Sequence, residues 1–246
     1  MLMLNGLGQI QNILVVGGKS NIALETVSNV PLAPNGKVFL LGREIEKENI
    51  VIENAEVATI NYDINDPVQR IEKISKLFDN RDFDLVILAV GYLGFHPSKS
   101  TLEDDQTIID VNFTYSARVL NYVVDRLKSQ NHGKVLILSS FAAVRPRKSN
   151  YIYGAAKAGL DFFARGLQLD LVGTGVDICM ARPGFVHSNM TQGMTAAPFA
   201  ISAAQAGEIC ARGILRSKKV FFVPGKLRYV MFIVKLLPRR ILNKLN

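Results

Sequence analysis

Residues 13–23 read Ile-Leu-Val-Val-Gly-Gly-Lys-Ser-Asn-Ile-Ala, and the fold follows from how this stretch is read. Four aliphatic residues with no polar interruption suit a strand buried on both faces, as in a parallel sheet covered by helices. The glycines then turn the chain into a helical pattern. Backbone N–H groups in such a turn, together with the positive end of the helix dipole, form a natural seat for a pyrophosphate. The same segment also suits an ordinary strand-to-helix turn, because Asn21 stands where a phosphate loop has its second glycine and Ala23 where it has its third.

Outward from this turn, apolar runs of strand length alternate with longer segments whose apolar residues recur three and four apart. Strands are predicted over 13–16, 38–41, 57–60, 85–90, 135–138, 176–180 and 220–223, and helices over 22–27, 68–78, 105–127, 152–172 and 203–215. With right-handed crossovers, this order predicts an α/β fold, a Rossmann-type doubly wound sheet of about seven parallel strands whose ligands lie outside the strands' carboxyl ends. No linker-like composition divides the chain. One domain is expected over 1–224, with its substrate site included, and a short basic amphipathic helical tail over 225–246.

Charge separates those two parts. The chain has 29 Lys/Arg against 21 Asp/Glu, but ten of the basic residues and no acidic ones fall between 211 and 246. The excess positive charge therefore belongs to the tail, and nothing points to a nucleic-acid partner. Two cysteines, Cys179 and Cys210, sit in apolar or helical runs and propose no disulfide framework. His96, His132 and His187 lack any ligand spacing, so no metal is expected. The start of the chain lacks the pattern of a secretory signal, and a reducing, cytoplasmic setting is expected.

Several residues at the predicted strand ends carry chemistry. Arg43 closes the second strand, where such sheets meet the adenosine ribose; a guanidinium there pairs with a 2′-phosphate, with Lys19 as a helper, and so favours NADP(H) over NAD(H). Arg43 also suits a solvated helix start or stacking on adenine. Ser139-Ser140 closes the fifth strand, and Tyr153 and Lys157 lie four apart on the next helix, sharing a face. An ammonium beside a phenol stabilises phenolate and draws down a pKa that is otherwise about 10. Tyr153 then becomes able to exchange a proton with a carbonyl or alcohol oxygen. An exposed Tyr/Lys pair on a helix surface is the structural alternative.

Taken together, these positions resemble the short-chain dehydrogenase/reductase superfamily, and the resemblance runs from Gly17 to Ser188. It implies that Gly17, Lys19, Ser20, Asn21 and Ile22 form the cofactor loop and that Asp63, with Ile64 beside it, meets adenine. Gly91 is what remains of the family's Asn-Ala-Gly. Pro183, Gly184, Val186 and Ser188 follow the sixth strand, with Ser188 on the nicotinamide amide. The resemblance further implies a catalytic set in which Ser140 bonds the substrate oxygen and Tyr153 passes the proton. Lys157 holds the nicotinamide ribose and lowers the tyrosine pKa, and Asn112 supports a water-linked proton path. Without it, Ser140 reads as a strand cap and Asn112 as a buried amide with local hydrogen bonds.

Within the superfamily the second half is most similar to decaprenylphosphoryl 2-keto-erythro-pentose reductases, carried by residues 139–160, 182–191 and 222–245. That likeness implies a lipid-linked sugar substrate in envelope polysaccharide synthesis, and relatives imply a homodimer or homotetramer. The apolar part of the tail, 229–234 with Leu236-Leu237, is too short to span a bilayer and suits lying in an anionic interface, on the inner face of the cytoplasmic membrane. Packing against the domain or another subunit is the other reading. Arg145 and Arg147, with Lys148, either bind a substrate phosphate or form an exposed loop. Reduction of another carbonyl, such as a 3-oxoacyl thioester or a small ketone, and a non-catalytic dinucleotide-sensing scaffold are the rival functions.

Overall fold

The computed structural model describes residues 9–62 and 66–236. In chain order its main elements are β1 (Ile10–Val16), α1 (Asn21–Ser28), β2 (Leu32–Gly42), β3 (Ala55–Asn61), α2 (Pro67–Phe78), β4 (Leu85–Leu88), α3 (Leu102–Ile109), α4 (Tyr115–Ser129), β5 (Gly133–Leu138), α5 (Tyr151–Asp170), β6 (Val176–Pro183), β7 (Val186–His187), β8 (Ile201–Ser202), α6 (Ala203–Leu215), β9 (Val220–Val223) and α7 (Leu227–Leu236). Seven strands form one sheet in the order β3-β2-β1-β4-β5-β6-β9, and all neighbours are parallel. β7 and β8 pair separately over two residues each. The order reverses between β1 and β4, which opens a crevice at their carboxyl ends.

Period-two alternation divides the sheet's side chains between two cores. Leu14, Val16, Val135, Ile137, Ile178 and Met180 face one layer, where they meet Ile74 of α2, Val119 and Val123 of α4, and Leu160 and Ala164 of α5. Ile13, Val15, Leu136, Leu138, Cys179 and Ala181 face the other, against Ala23 and Val27 of α1 and Cys210 and Ile214 of α6. Each large aliphatic side chain so buried stabilises the fold by roughly 1.5–3 kcal/mol.

Local signals set the helix starts. Asp66 caps α2 ahead of Pro67, and Thr101 with Asp104, and Ser202 with Gln205, form capping boxes on α3 and α6. The helix expected over 105–127 is instead interrupted: residues 110–114 form a π-helical turn between α3 and α4. Such a turn inserts a single residue, a phase shift too small to break a pattern read as apolar residues three and four apart. The strand expected over 85–90 ends at Leu88, after which Ala89 still donates to the Val16 carbonyl at 2.8 Å. The tail enters as α7, whose inner residues Leu227 and Met231 pack on Phe141 with Val144, Phe222 and Val230. Tyr229, Phe232 and Ile233 of the same helix are exposed. Residues 237–246, the rest of the basic tail, lie outside the described residues.

Candidate active site

At the carboxyl end of β1, Gly17 adopts φ +98°, and a Cβ there would stand 2.7 Å from the Ala89 carbonyl carbon. Positive φ and the close approach of β1 to β4 both demand glycine at this position. Gly17 and Gly18 both donate to the Leu41 carbonyl at 2.9 Å, fixing the turn against β2. Ser20 caps α1 by accepting from the Ala23 N–H, and Ile22 packs against the core layer beneath. The two glycines let the loop lie close against β2 and the end of β4, and the N-terminus of α1 follows directly. These features fit a dinucleotide pyrophosphate.

Arg43 is exposed just past β2, close enough to Tyr62 to act on it electrostatically. Lys19 is paired with Glu48 at 2.9 Å, so an acid already competes for the ammonium proposed as Arg43's helper. Asp63 and Ile64 lie outside the described residues.

The catalytic candidates converge on the cleft between β4, β5 and α5. Ser140 follows β5 in extended backbone and accepts from the Ala142 N–H at 3.1 Å, which makes it a cap as well as a cleft residue. Tyr153 and Lys157 are both buried, at 7% and 2% exposure, so the reading of the pair as an exposed surface feature is excluded. Lys157 Nζ donates to the carbonyls of Val90 (3.0 Å) and Leu138 (3.2 Å) and lies 6.0 Å from the Tyr153 ring centre. Burial with no anion to compensate pushes its pKa down to about 8.

Tyr153 departs from expectation. Its pKa is raised, not lowered: burial dominates, and a hydrogen bond with Ser140 offsets it only in part. The ammonium expected to draw it down is committed to two carbonyls instead.

Asn112 sits in the π-helical turn and is fully buried. Its Nδ2 donates to Tyr92 O (2.7 Å) and Ile108 O (2.8 Å), while its Oδ1 accepts from Tyr92 N (3.2 Å). These bonds lock the loop after β4 to the helix. A Cβ on Gly91 would lie 3.5 Å from Asn112 Oδ1 and 3.7 Å from Lys157 Nζ, so glycine keeps this part of the cleft open.

After β6, the chain turns at Pro183 and Gly184, whose N–H donates to Val223 O at 2.8 Å. A Cβ on Gly184 would stand 2.6 Å from Leu227 Cδ1, so α7 packs directly on this loop. Val186 pairs with Ile201, and the Ser188 N–H is held by Thr191 Oγ1 at 3.1 Å. Arg145 and Arg147 lie in the loop before α5. Arg147 stands 5.8 Å from the Phe141 ring centre, where burial and the neighbouring Arg145 lower its pKa.

Sequence reasoning missed the support beneath Ser140. Asp161, one turn beyond Lys157, accepts from Ser139 Oγ (3.0 Å), Arg182 Nε (3.0 Å) and Arg182 Nη2 (2.6 Å). An acid on the buried face of a helix, four residues after the lysine, was the signal available.

Sheet, cleft and side chains together define a dinucleotide-dependent dehydrogenase or reductase. Residues 11–198 match the short chain dehydrogenase family, and the chain belongs to it; it is an NAD(P)-dependent oxidoreductase acting on CH–OH groups. It is similar to an uncharacterized oxidoreductase of Streptomyces coelicolor, at 34% identity over 97% of each chain. An uncharacterized oxidoreductase of Mycobacterium tuberculosis is 31% identical over 92% of this chain and 94% of its own. Among solved structures, a short-chain dehydrogenase from Burkholderia cenocepacia in complex with NADP superposes with a TM-score of 0.75 at 18% identity, covering 94% of this chain and 99% of that one.

Proposed function

We propose that the protein reduces a ketone to a secondary alcohol, with NADP(H) preferred and a lipid-linked sugar as substrate, and that Tyr153, Ser140, Lys157 and Asn112 form its catalytic set. The observation that carries the chemistry is the burial of Tyr153 beside Ser140 and Lys157 at the carboxyl edge of the sheet. A phenol whose pKa is raised enters the reductive direction with its proton in place, although burial makes it a weaker acid than a free phenol.

The nicotinamide supplies the hydride to the carbonyl carbon when bound. Ser140 orients the substrate oxygen, and Tyr153 delivers the phenolic proton to it, completing the alcohol. Lys157 holds its charge beside the phenol and contacts the ribose, and Asn112 braces the loop through which solvent returns a proton to Tyr153. The cofactor loop (Gly17, Lys19, Ser20, Asn21, Ile22), with Asp63, Ile64 and Gly91, holds the dinucleotide. Arg43 takes the 2′-phosphate, and Pro183, Gly184, Val186 and Ser188 hold the nicotinamide side.

The lipid-linked substrate is supported by the placement of α7. Its inner face packs on Phe141, the neighbour of Ser140, while Tyr229, Phe232 and Ile233 face outward and Arg147 stands beside the same ring. An apolar outer face flanked by arginines suits an anionic bilayer holding a polyprenyl phosphate, with the protein peripheral on the inner face of the membrane. Among the described residues no helix is long and apolar enough to cross a membrane. Exposed Phe162 and Leu169 on α5 support a homodimer or homotetramer.

The test compares NADPH oxidation with a polyprenyl-phosphate-linked 2-ketopentose in anionic vesicles and with a water-soluble ketone. The expected result is faster turnover of the vesicle-borne substrate and loss of vesicle binding in the triple variant Tyr229→Ser, Phe232→Ser, Ile233→Ser. Equal turnover of a soluble ketone or 3-oxoacyl thioester, with no vesicle binding by the parent, would select the other-carbonyl reading.

A further inference from the structure

Where the family's pattern has a glycine, Asn21 brings a side chain, and that side chain reaches across the cleft. Its Oδ1 accepts the backbone N–H of Asn189 at 3.0 Å, joining the first residue of α1 to a segment 168 positions later in the chain. The receiving turn is itself firmly built. Thr191 Oγ1 accepts from Ser188 N (3.1 Å) and donates to Val186 O (2.6 Å), and Thr191 N donates to Ser188 O (3.1 Å).

The next residue approaches the opposite wall. Met190 Cε would lie 3.1 Å from a Cβ on Gly91, in the part of the cleft bordered by Asn112 and Lys157. One short turn is therefore bonded to the cofactor loop after β1 and lies beside the loop after β4. A glycine at position 21 has no group that could make the first of these contacts. The departure from the glycine pattern is thus matched by a specific bond, which an accidental substitution in a phosphate loop would not supply.

We propose that Asn21 is a positioning residue that fastens the 189–191 turn across the dinucleotide cleft and so retains bound cofactor. The bond joins the loop that seats the pyrophosphate to the segment that follows the nicotinamide contact, so opening it frees one path of exit. Because a single neutral hydrogen bond is at stake, the expected effect on release is modest, about fivefold.

The partner group can be removed without disturbing the turn. Asn189 is the first residue of its 3-10 turn, where proline is tolerated, and Ser188 before it has φ −156° and ψ 173°, extended backbone compatible with a following proline. Asn189→Pro therefore deletes that N–H, together with the Asn189 carboxamide, which is no part of the bond to Asn21. Stopped-flow measurement of NADPH dissociation from the full chain is expected to show about fivefold faster release in Asn21→Gly and in Asn189→Pro, with the double variant no faster than either. Proteolysis of the 190–199 loop, measured without cofactor, is expected to quicken in Asn21→Gly. Release at or below the parental rate in Asn21→Gly, or fully additive effects in the double variant, would overturn the proposal. So would parental loop cleavage, a readout that does not depend on cofactor binding at all.

Discussion

Strand β5 has a buried lysine ammonium at either end, and the two are held in opposite ways. At the amino end, Lys134 donates to Ile214 O (2.9 Å) and Ser217 Oγ (2.7 Å), at the C-terminus of α6, where a helix dipole favours a cation. Asp177 lies close by, and Lys219 and Lys134 together outweigh the burial that would raise its carboxyl pKa. At the carboxyl end, Lys157 has two backbone carbonyls and no anion, and burial pushes its pKa down to about 8. One lysine is built into a satisfied network. The other is kept near its titration point, beside a phenol that retains its proton, and this contrast separates the end of the sheet that holds the fold from the end proposed to do chemistry.

The largest effect expected from this contrast is that of Tyr153→Phe. It removes the transferable proton and keeps the ring, so the reduction rate should fall about a thousandfold, within the range for general acid catalysis, while the thermal midpoint stays close to the parent's. Steady-state kinetics with calorimetry checks both halves, and a parental rate would remove Tyr153 from the chemistry. Next comes Arg43→Glu, which exchanges a phosphate partner for an acid that repels phosphate. The ratio of kcat/KM for NADPH over NADH should drop about tenfold or more, on the scale of a charge-assisted hydrogen bond. An unchanged ratio would assign Arg43 to solvent.

Smallest in catalysis is Lys134→Met at the structural end. Losing two hydrogen bonds from a buried ammonium should cost roughly 1–3 kcal/mol of stability, read as a fall of several degrees in Tm, with kcat/KM within about twofold of the parent. If activity fell and stability did not, the two ends of β5 would not differ in the way described.

Much of this architecture was legible because it is written in periodicity. Uninterrupted runs such as 13–16 and 135–138 mark strands covered on both faces, and all seven predicted strands are found in one sheet. The pairing of Tyr153 with Lys157 was legible because helical spacing fixes which side chains share a face, whereas Ser140 was joined to them only through the family resemblance. What could not be read depends on distant or depth-dependent effects. The π-helical turn under Asn112 inserts one residue, too small a shift to show in a pattern of threes and fours, and the β7–β8 pair is too short to leave a pattern. The bond from Asn21 to Asn189 joins loops that no periodicity relates. The direction of the Tyr153 shift follows from burial, which spacing does not report: the adjacent cation was visible in the sequence, but its capture by the Val90 and Leu138 carbonyls was not.

The most direct test is the pH dependence of kcat/KM for NADPH in the reductive direction, which reports the groups of the free enzyme. Lys157, with its pKa lowered to about 8, is protonated below that value and loses its charge as pH rises through it, whereas Tyr153, with its pKa raised, stays protonated across the same window. The expected profile is level below about pH 8 and falls above it, and the falling limb shifts or vanishes in Lys157→Arg. A level profile through pH 8 to 9 in the parent, or an identical falling limb in Lys157→Arg, would contradict a buried, uncompensated ammonium as the titrating partner of the proposed catalytic phenol.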